Sequence, residues 1–448
     1  MVPAEKNRIV ILDFGSDKNR GDAAMNLSLI NLIRRYFLNA EISVVSVFGA
    51  NQMGHLAEEY DHAVRPPVTL RGGLKPTFYP LKDNNRSILH TEMLNAILFI
   101  TSVILLLLLA VKLPVALIGK ILPDEFRKTL FVIHNADLVI WNHPNLRSRK
   151  NALLEIYRIF SKLYHPLISI ALSKPMACPG TSVWRLNSPV ARRLLRYAFE
   201  HCFFISVREE NSYLNVRDLI LPEFEQRLHL LPDLSFAVLD HLDTIVSKRK
   251  KPNNGSFPQK VGITLVDWVS DGREFRDHYK HAMMDTIRFL IRNGCEIVFI
   301  PQVVKKWEGF GLLLGEIVSE LSSEEFQSVT VAAGQPGVEE LLTIYSRLDF
   351  LIATRLHSAI FALAVETPIV AIAYDEGGKW GILDRLGCGN LVVAYSGVNS
   401  SMLIQKILGC WANRVEILHE VRKNVVDQIR DVDLNAKLIL EFWDKRIV

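Results

Sequence analysis

Cysteine is sparse in this 448-residue chain: Cys178, Cys202, Cys295, Cys388 and Cys410 lie far apart, with no C-x-x-C pair. That spacing excludes the usual zinc patterns, argues against a disulfide framework and fits a reducing cytosol best. A dominant charge of one sign is missing too. The 52 Lys and Arg against 48 Asp and Glu leave a formal +4, too mild and too evenly mixed to indicate nucleic acid as a partner. The opening residues, MVPAEKNRIVILDFGS, lack the long apolar core and small-residue cleavage site of a secretory signal. They run straight into a strand pattern, so export by the ordinary route is not expected. No short internal repeat is evident, and nothing in the pattern selects an oligomeric state.

What is present is apolar: 49% of the residues are hydrophobic, enough for two or three domains with substantial cores. One apolar run stands apart. Met93 to Val111 reads MLNAILFITSVILLLLLAV without a charge, and as a helix it would extend roughly 28 Å at about 1.5 Å per residue. Segments of one α/β domain flank it on both sides, so a single crossing would divide one sheet between two sides of a bilayer. The continuation, 112-KLPVALIGKIL-122, offers a break at Pro114, and Lys112, Lys120, Arg127 and Lys128 suit an anionic cytoplasmic leaflet. Residues 93–122 are therefore expected to form a re-entrant or monotopic helical hairpin inserted in the N-terminal domain. A hairpin buried in protein or in a dimer interface is the alternative. Residues 66–73 and 78–86 read as the loop leading into it.

Elsewhere strand and helix patterns alternate. Arg8 to Phe14 reads as a buried strand, 15-GSDKNRGD-22 as a polar loop, and the next segment as a helix with an apolar stripe at Met25, Leu29, Leu32, Ile33, Tyr36 and Phe37. Glu41 to Val47 completes a βαβ unit. Further strands are expected at 137-DLVIW-141, 174-KPMACPG-180 and 203-FFISVRE-209, before a lysine-, glycine- and proline-punctuated linker at 246–260. The second half repeats the alternation with strands near 261–266, 295–301, 328–333, 349–353 and 367–374, and it closes with helices near 401–412 and 417–443. The fold class is α/β: two doubly wound Rossmann-like domains facing a cleft, 1–245 and 261–448.

Polar residues interrupt the apolar run at one junction. Thr354, Arg355, His357 and Ser358 fall between a strand and an alanine-rich helix. Strand carboxyl ends and a helix N-terminus favour an anionic guest there.

Three segments in this order resemble the polysaccharide pyruvyl transferase family, which is GT-B-like. The loop 15-GSDKNRGD-22 is similar to its G-x-x-x-N-x-G-D opening, 205-ISVREENSY-213 to its S-x-R-(D/E)-x-x-S segment, and 354-TRLHSAIFALAVETPIVAIAYD-375 to its (S/T)-R-L-H-x-x-I-x-A-L-A strand–helix–strand. The likeness is diffuse over most of the chain outside about residues 60–130. At 137-DLVIWNHPNLRS-148 the family's glycine-rich loop is replaced by Asn142, His143 and Pro144, and Glu366 stands where related folds usually carry glycine. The apolar insertion is not a common family feature.

The resemblance implies transfer of an enolpyruvyl-derived unit from phosphoenolpyruvate to sugar hydroxyls, giving a cyclic pyruvate ketal and phosphate, with no further cofactor. Such a donor carries a phosphate and a carboxylate, so two cationic anchors are needed, and Arg208 and Arg355 are the candidates. His357 is the candidate for protonating the methylene carbon, or for stabilising the departing phosphate as a cation. No metal is required. The resemblance also implies substrate contacts at Asn19, Gly21, Asp22, Thr354, Ser358 and Asp233, although Asn19, Gly21 and Asp22 could equally be turn and cap residues; Asn142 and His143 are candidates only by their place at a strand end. The N-terminal domain is expected on the acceptor side and the C-terminal domain on the phosphoenolpyruvate side. With the apolar insertion, this gives an enzyme at the cytoplasmic face of the cell membrane acting on a lipid-linked glycan precursor. A nucleotide-sugar glycosyltransferase and a non-catalytic membrane-associated partner of glycan assembly are the alternatives.

Overall fold

The computed structural model describes residues 7–49, 68–74, 100–239, 255, 257–267, 273–303, 310–374 and 378–447. The chain forms two compact α/β units. The first comprises Met1–Asp17, Asn26–Pro232 and Asp433–Val448; the second comprises Lys18–Met25 and Asp233–Val432.

The strands of the first unit are β1 (Arg8–Phe14), β2 (Glu41–Gly49), β3 (Thr69–Gly73), β4 (Leu138–Trp141), β5 (Asn145–Leu146), β6 (Met176–Val183), β7 (Cys202–Val207) and β8 (Leu228–Leu230). Their order is β3-β2-β1-β4-β6-β7-β8, with β5 on β6. In the second unit β9 (Lys260–Ile263), β10 (Glu296–Phe299), β11 (Val329–Val331), β12 (Phe350–Ala353), β13 (Ile369–Ala373) and β14 (Val392–Ala394) run in the order β11-β10-β9-β12-β13-β14. Every ladder among the described residues is parallel. The Val-, Ile- and Leu-rich strands follow from this, because helices cover both faces of a parallel sheet and β4, β7, β12 and β13 are buried along their whole length. In each order the direction reverses once, between β1 and β4 and between β9 and β12. Such reversals open a crevice at the strand carboxyl ends.

The expectation of two Rossmann-like α/β units holds, but their limits depart from the sequence boundaries in three places. The chain passes between units at Pro232/Asp233, and residues 246–254, most of the expected linker, lie outside the described residues. Residues 18–25 cluster with the second unit. The closing helices, Arg414–Asp431 and Leu434–Ile447, part at Val432–Asp433, after which the chain rejoins the first unit. There Asp433 accepts from the Tyr36 hydroxyl at 2.5 Å and Arg35 Nη1 at 3.0 Å, and Ser206 donates to Asn435 Oδ1 at 2.6 Å. Burial and Asp433 push the Tyr36 phenol up to about 12. A further departure concerns 66–73, expected as loop, where Thr69–Gly73 is the edge strand β3 on β2.

Of the apolar insertion, residues 93–99 lie outside the described residues. From 100 to 110 the chain is helical, turns at Lys112 (φ +55°) and resumes as the helix Val115–Ile121 after Pro114. Leu105, Leu109, Val115 and Ile118 are buried in the core of the first unit with Leu130 and Ile133. Among the described residues no helix is long and apolar enough to cross a membrane. Arg127 and Lys128, expected to face an anionic leaflet, carry acidic partners: Asp124 pairs with both, and Glu125 with Lys128 at 2.8 Å.

All five cysteines are free and buried. Burial pushes the Cys295, Cys388 and Cys410 thiols up to about 12, which holds them protonated and unreactive.

The Glu366 departure has a backbone reason. The helix Leu356–Ala364 ends in a Schellman motif: Thr367 N–H donates to Ala362 O and Glu366 N–H to Leu363 O, with Glu366 at φ +61°. Glycine takes that conformation without strain; glutamate is held there by Arg422, whose Nε lies 2.6 Å from its carboxylate. Left-handed backbone costs a non-glycine residue roughly 1–2 kcal/mol, and a pair with an exposed arginine returns about 0–1 kcal/mol. Glu366→Gly should therefore match or exceed wild-type stability, whereas Glu366→Ala should lose up to about 1 kcal/mol. Urea unfolding of both variants decides; a glycine variant weaker than the alanine variant contradicts the account.

Candidate active site

In the second unit the site grows from the β9/β12 crevice. Thr354 N–H donates to Thr264 Oγ1 at 3.0 Å, Thr264 Oγ1 lies 3.0 Å from Ser358 Oγ, and Ser358 Oγ donates to the Arg355 carbonyl at 2.6 Å. The Thr354 hydroxyl donates to the Thr264 carbonyl. Thr354 and Ser358 are fully buried, and their hydroxyls fasten the end of β12 to the end of β9. They set the direction of the following helix, a positioning role where substrate contact was expected.

That helix, Leu356–Ala364, starts after Arg355, which has extended backbone and leaves the first N–H groups without a side-chain cap. His357 lies in its first turn, with 14% of the side chain exposed. Its Nε2 is 3.8 Å from Asp233 Oδ1, too long for a hydrogen bond, so the carboxylate flanks the ring without bonding to it. Asp233 is itself fixed, accepting from Ser235 N–H at 2.8 Å as it opens the 3-10 turn Leu234–Leu239.

The other flank of His357 is Gly21. A β-carbon built on Gly21 would lie 2.1 Å from Nδ1 and 2.6 Å from Cγ of His357, so only glycine admits the ring. The loop carrying Gly21 is secured from both ends. Asn19 bridges to Val303, Arg20 N–H donates to the Gln302 carbonyl at 3.3 Å, and the buried Arg20 guanidinium donates to the Gln335 carbonyl at 2.9 Å. Asn19 also caps the helix Arg20–Tyr36: its Oδ1 accepts from Gly21 N–H at 3.2 Å and its Nδ2 donates to Asp22 at 3.0 Å. Asn19 and Asp22 thus shape the loop that places Gly21.

A further cation joins Arg355. Lys379, buried, donates to the Tyr374 hydroxyl at 3.0 Å, and its Nζ sits 4.3 Å from that ring's centre. The Arg355 guanidinium carbon is 5.8 Å from the same centre, so a guanidinium and an ammonium converge on one phenol just beyond β13. Lysine is rarely buried to this degree. The sequence pattern did not single out Lys379, and a lone lysine in a glycine-rich loop gives no sign of burial.

The first unit holds the remaining candidates. Asn142 Nδ2 donates to Asn26 Oδ1 at 2.9 Å, and His143 Nε2 is 3.2 Å from the same oxygen. Asn26 in turn donates to the Gly15 carbonyl at 3.0 Å, tying the ends of β1 and β4 at the reversal point. His143, at φ +25°, holds a strained backbone in this cluster. Asn26, fully buried, was missed, because a single asparagine on a helix reads as a surface residue. Below it Asp13, at φ +53°, accepts from His165 Nδ1 at 2.7 Å, while His165 Nε2 accepts from Leu74 N–H at 2.9 Å; this histidine is a neutral core brace. Arg208, buried at the end of β7, donates through Nε to Ser182 Oγ at 2.7 Å and lies 3.5 Å from Glu209. The structure thus gathers Asn19, Gly21, Asp22, Asp233, Thr354, Arg355, His357 and Ser358 in one unit, and Asn142, His143 and Arg208 in the other. Among the described residues no group of three or more His, Cys, Asp or Glu is placed to hold a metal ion.

Solved structures share this fold at low identity. UGT89C1 of Arabidopsis thaliana matches with TM-score 0.55 and 12% identity over 98% of this chain and 100% of its own. The α,α-trehalose 6-phosphate synthase of Burkholderia multivorans matches with TM-score 0.53 and 11% identity over 99% of both. The UDP-GlcNAc 2-epimerase of Neisseria meningitidis, bound to UDP-GlcNAc, matches with TM-score 0.52 and 10% identity over 98% of this chain and 100% of its own. These likenesses show a GT-B-like fold. No curated protein matches the chain. The model of the family described as polysaccharide pyruvyl transferase matches residues 19–376, from the Asn19 cap through the strand after the Arg355–His357 helix, and the chain belongs to that family.

Proposed function

We propose that the protein transfers a pyruvyl unit from phosphoenolpyruvate to two hydroxyls of a glycan. The methylene carbon takes a proton, and the first hydroxyl attacks the resulting oxocarbenium-like carbon and loses its own proton. The C–O bond to phosphate then breaks, and the second hydroxyl closes the ketal on the carbon left electron-deficient, its proton leaving with the phosphate. The observation that carries this reading is His357 pinned between Gly21 and Asp233 inside the family-matched residues, with Arg355 two residues before it meeting Lys379 at the Tyr374 ring. A donor with two anionic groups calls for two cations, and the second unit carries both. His357 gives or takes the proton, or stands as a cation against the departing phosphate. The polar groups at the β1/β4 reversal, Asn142 and His143, are assigned to the acceptor. We further propose that this acceptor is a lipid-linked precursor of a cell-surface polysaccharide, met at the cytoplasmic face of the membrane.

Calorimetric titration with phosphoenolpyruvate, UDP and GDP tests the donor. Phosphoenolpyruvate should bind the wild type and bind Arg355→Ala at least tenfold more weakly, while His357→Ala retains most of the affinity. The neighbours include a protein bound to UDP-GlcNAc, which favours a nucleotide-sugar donor as the second reading. Binding of UDP or GDP with no response to phosphoenolpyruvate establishes that reading instead.

A further inference from the structure

We infer that helix 100–110 and the helix Val115–Ile121 form an in-plane docking face for an anionic lipid surface. This deepens the lipid-linked reading above by naming the face that would bring the enzyme to its acceptor.

Helix 100–110 has two opposite apolar faces. Leu105 and Leu109, four apart, are buried in the core of the first unit. Ile100, Ile104, Leu107 and Val111 follow the i, i+4, i+7, i+11 spacing of a single face on the other side and are 48–70% exposed. Beyond the turn Leu117 and Ile121, 52% and 71% exposed, add two more outward apolar side chains, while Val115 and Ile118 are buried with the core. A soluble surface seldom presents so many large aliphatic side chains together.

The inner face decides how such a ridge could meet lipid. A helix whose inner side is packed into the core of an α/β unit cannot leave it to cross or re-enter a bilayer without uncovering that core. It can lie along the interface with its outer side in the headgroup–acyl boundary. Charge selects the lipid. From 100 to 122 the sequence holds no acidic residue, and Lys112 at the turn and Lys120 on the second helix are both exposed. The following acids, Asp124 and Glu125, are engaged by Arg127 and Lys128. An apolar strip with two exposed ammonium groups matches a surface of anionic headgroups over acyl chains.

The test is sedimentation of the full chain with vesicles of phosphatidylcholine and phosphatidylglycerol in equal parts, against phosphatidylcholine alone. The wild type should bind the mixed vesicles more tightly. Ile104→Glu/Leu107→Glu should lose at least tenfold in vesicle affinity, and Lys112→Glu/Lys120→Glu should lose the preference for the anionic mixture. These substitutions are exposed, and circular dichroism checks that each variant folds. Unaltered vesicle binding by the glutamate pair overturns the proposal. So does light scattering that shows a dimer split by the same pair without vesicles, since the ridge would then be an interface between two copies. Titration of each variant with phosphoenolpyruvate separates the two readings. Lost vesicle binding with retained donor binding supports the docking face, and a wild type that binds vesicles but no phosphoenolpyruvate defeats only the donor assignment.

Discussion

Gly21→Ala should lower turnover at least 10²-fold while the protein still unfolds cooperatively near the wild-type temperature. The added methyl would stand 2.1 Å from Nδ1 of His357, and one of the two must move. The backbone of the loop is held by the Asn19–Val303 bridge and by Arg20 on the Gln302 and Gln335 carbonyls, so the ring yields. Displacing a catalytic group by about an ångström costs on the order of 10² in rate. Folding is less affected: alanine gains roughly 1 kcal/mol of helix propensity over glycine, which offsets part of an overpacking cost of about 1–3 kcal/mol. Phosphate release from phosphoenolpyruvate, with a cell-envelope glycan extract as acceptor, gives the rate. The imidazole signal of His357 in the NMR spectrum reports the displacement without reference to activity. A double-mutant cycle sharpens the result. If the methyl acts through the ring, Gly21→Ala should cost little more in a His357→Ala background. Equal losses in both backgrounds would mean that the loop contacts substrate by itself.

This contact shows where sequence reading stops. Long periodic segments were legible, because the apolar stripe of Arg20–Tyr36 and the β-branched runs of β1, β4, β12 and β13 reflect local geometry. The strands β3, β5, β8 and β14 were not, because what makes them strands is pairing with β2, β6, β7 and β13, a tertiary fact. The break at Val432–Asp433 was hidden for the same reason. No glycine or proline marks it; what marks it is Asp433 meeting Arg35 and Tyr36, and Asn435 meeting Ser206.

The candidate site divides along similar lines. Arg355 and His357 stood out because polar residues interrupted an apolar run at a strand–helix junction. Thr354 and Ser358 stood out equally and turn out to be fasteners, because the pattern that marks the junction does not say which hydroxyls are already spent. Gly21 could be read as a turn residue, but not as the residue that leaves room for a ring far away in sequence. Arg20, Asn26 and Lys379 are polar or charged and buried. Burial of a hydrophilic side chain is the property that composition and periodicity hide most completely, and it is also the property that sites of chemistry exploit.

The pair Arg355 and Lys379 is where that burial has the largest expected consequence. Removing either cation from a donor with two anionic groups should weaken phosphoenolpyruvate binding by about 10- to 100-fold, the worth of one charge-assisted contact at roughly 1.5–3 kcal/mol. Arg355→Lys keeps the charge and loses the planar fork, so it should recover little of the affinity. Lys379→Met keeps an unbranched stem of similar length against Tyr374 and removes the ammonium. A buried charge replaced by a packed apolar side chain is often neutral or stabilising for the fold. Lys379→Met should therefore bind phosphoenolpyruvate poorly and melt no lower than wild type, and this opposition separates a binding role from a structural one. If Lys379 only braces Tyr374, the variant will lose stability while its phosphoenolpyruvate titration stays at the wild-type value. Because both cations meet on one ring, the double variant should lose less than the two single losses combined, and raised salt should weaken wild-type binding only modestly at so sheltered a site.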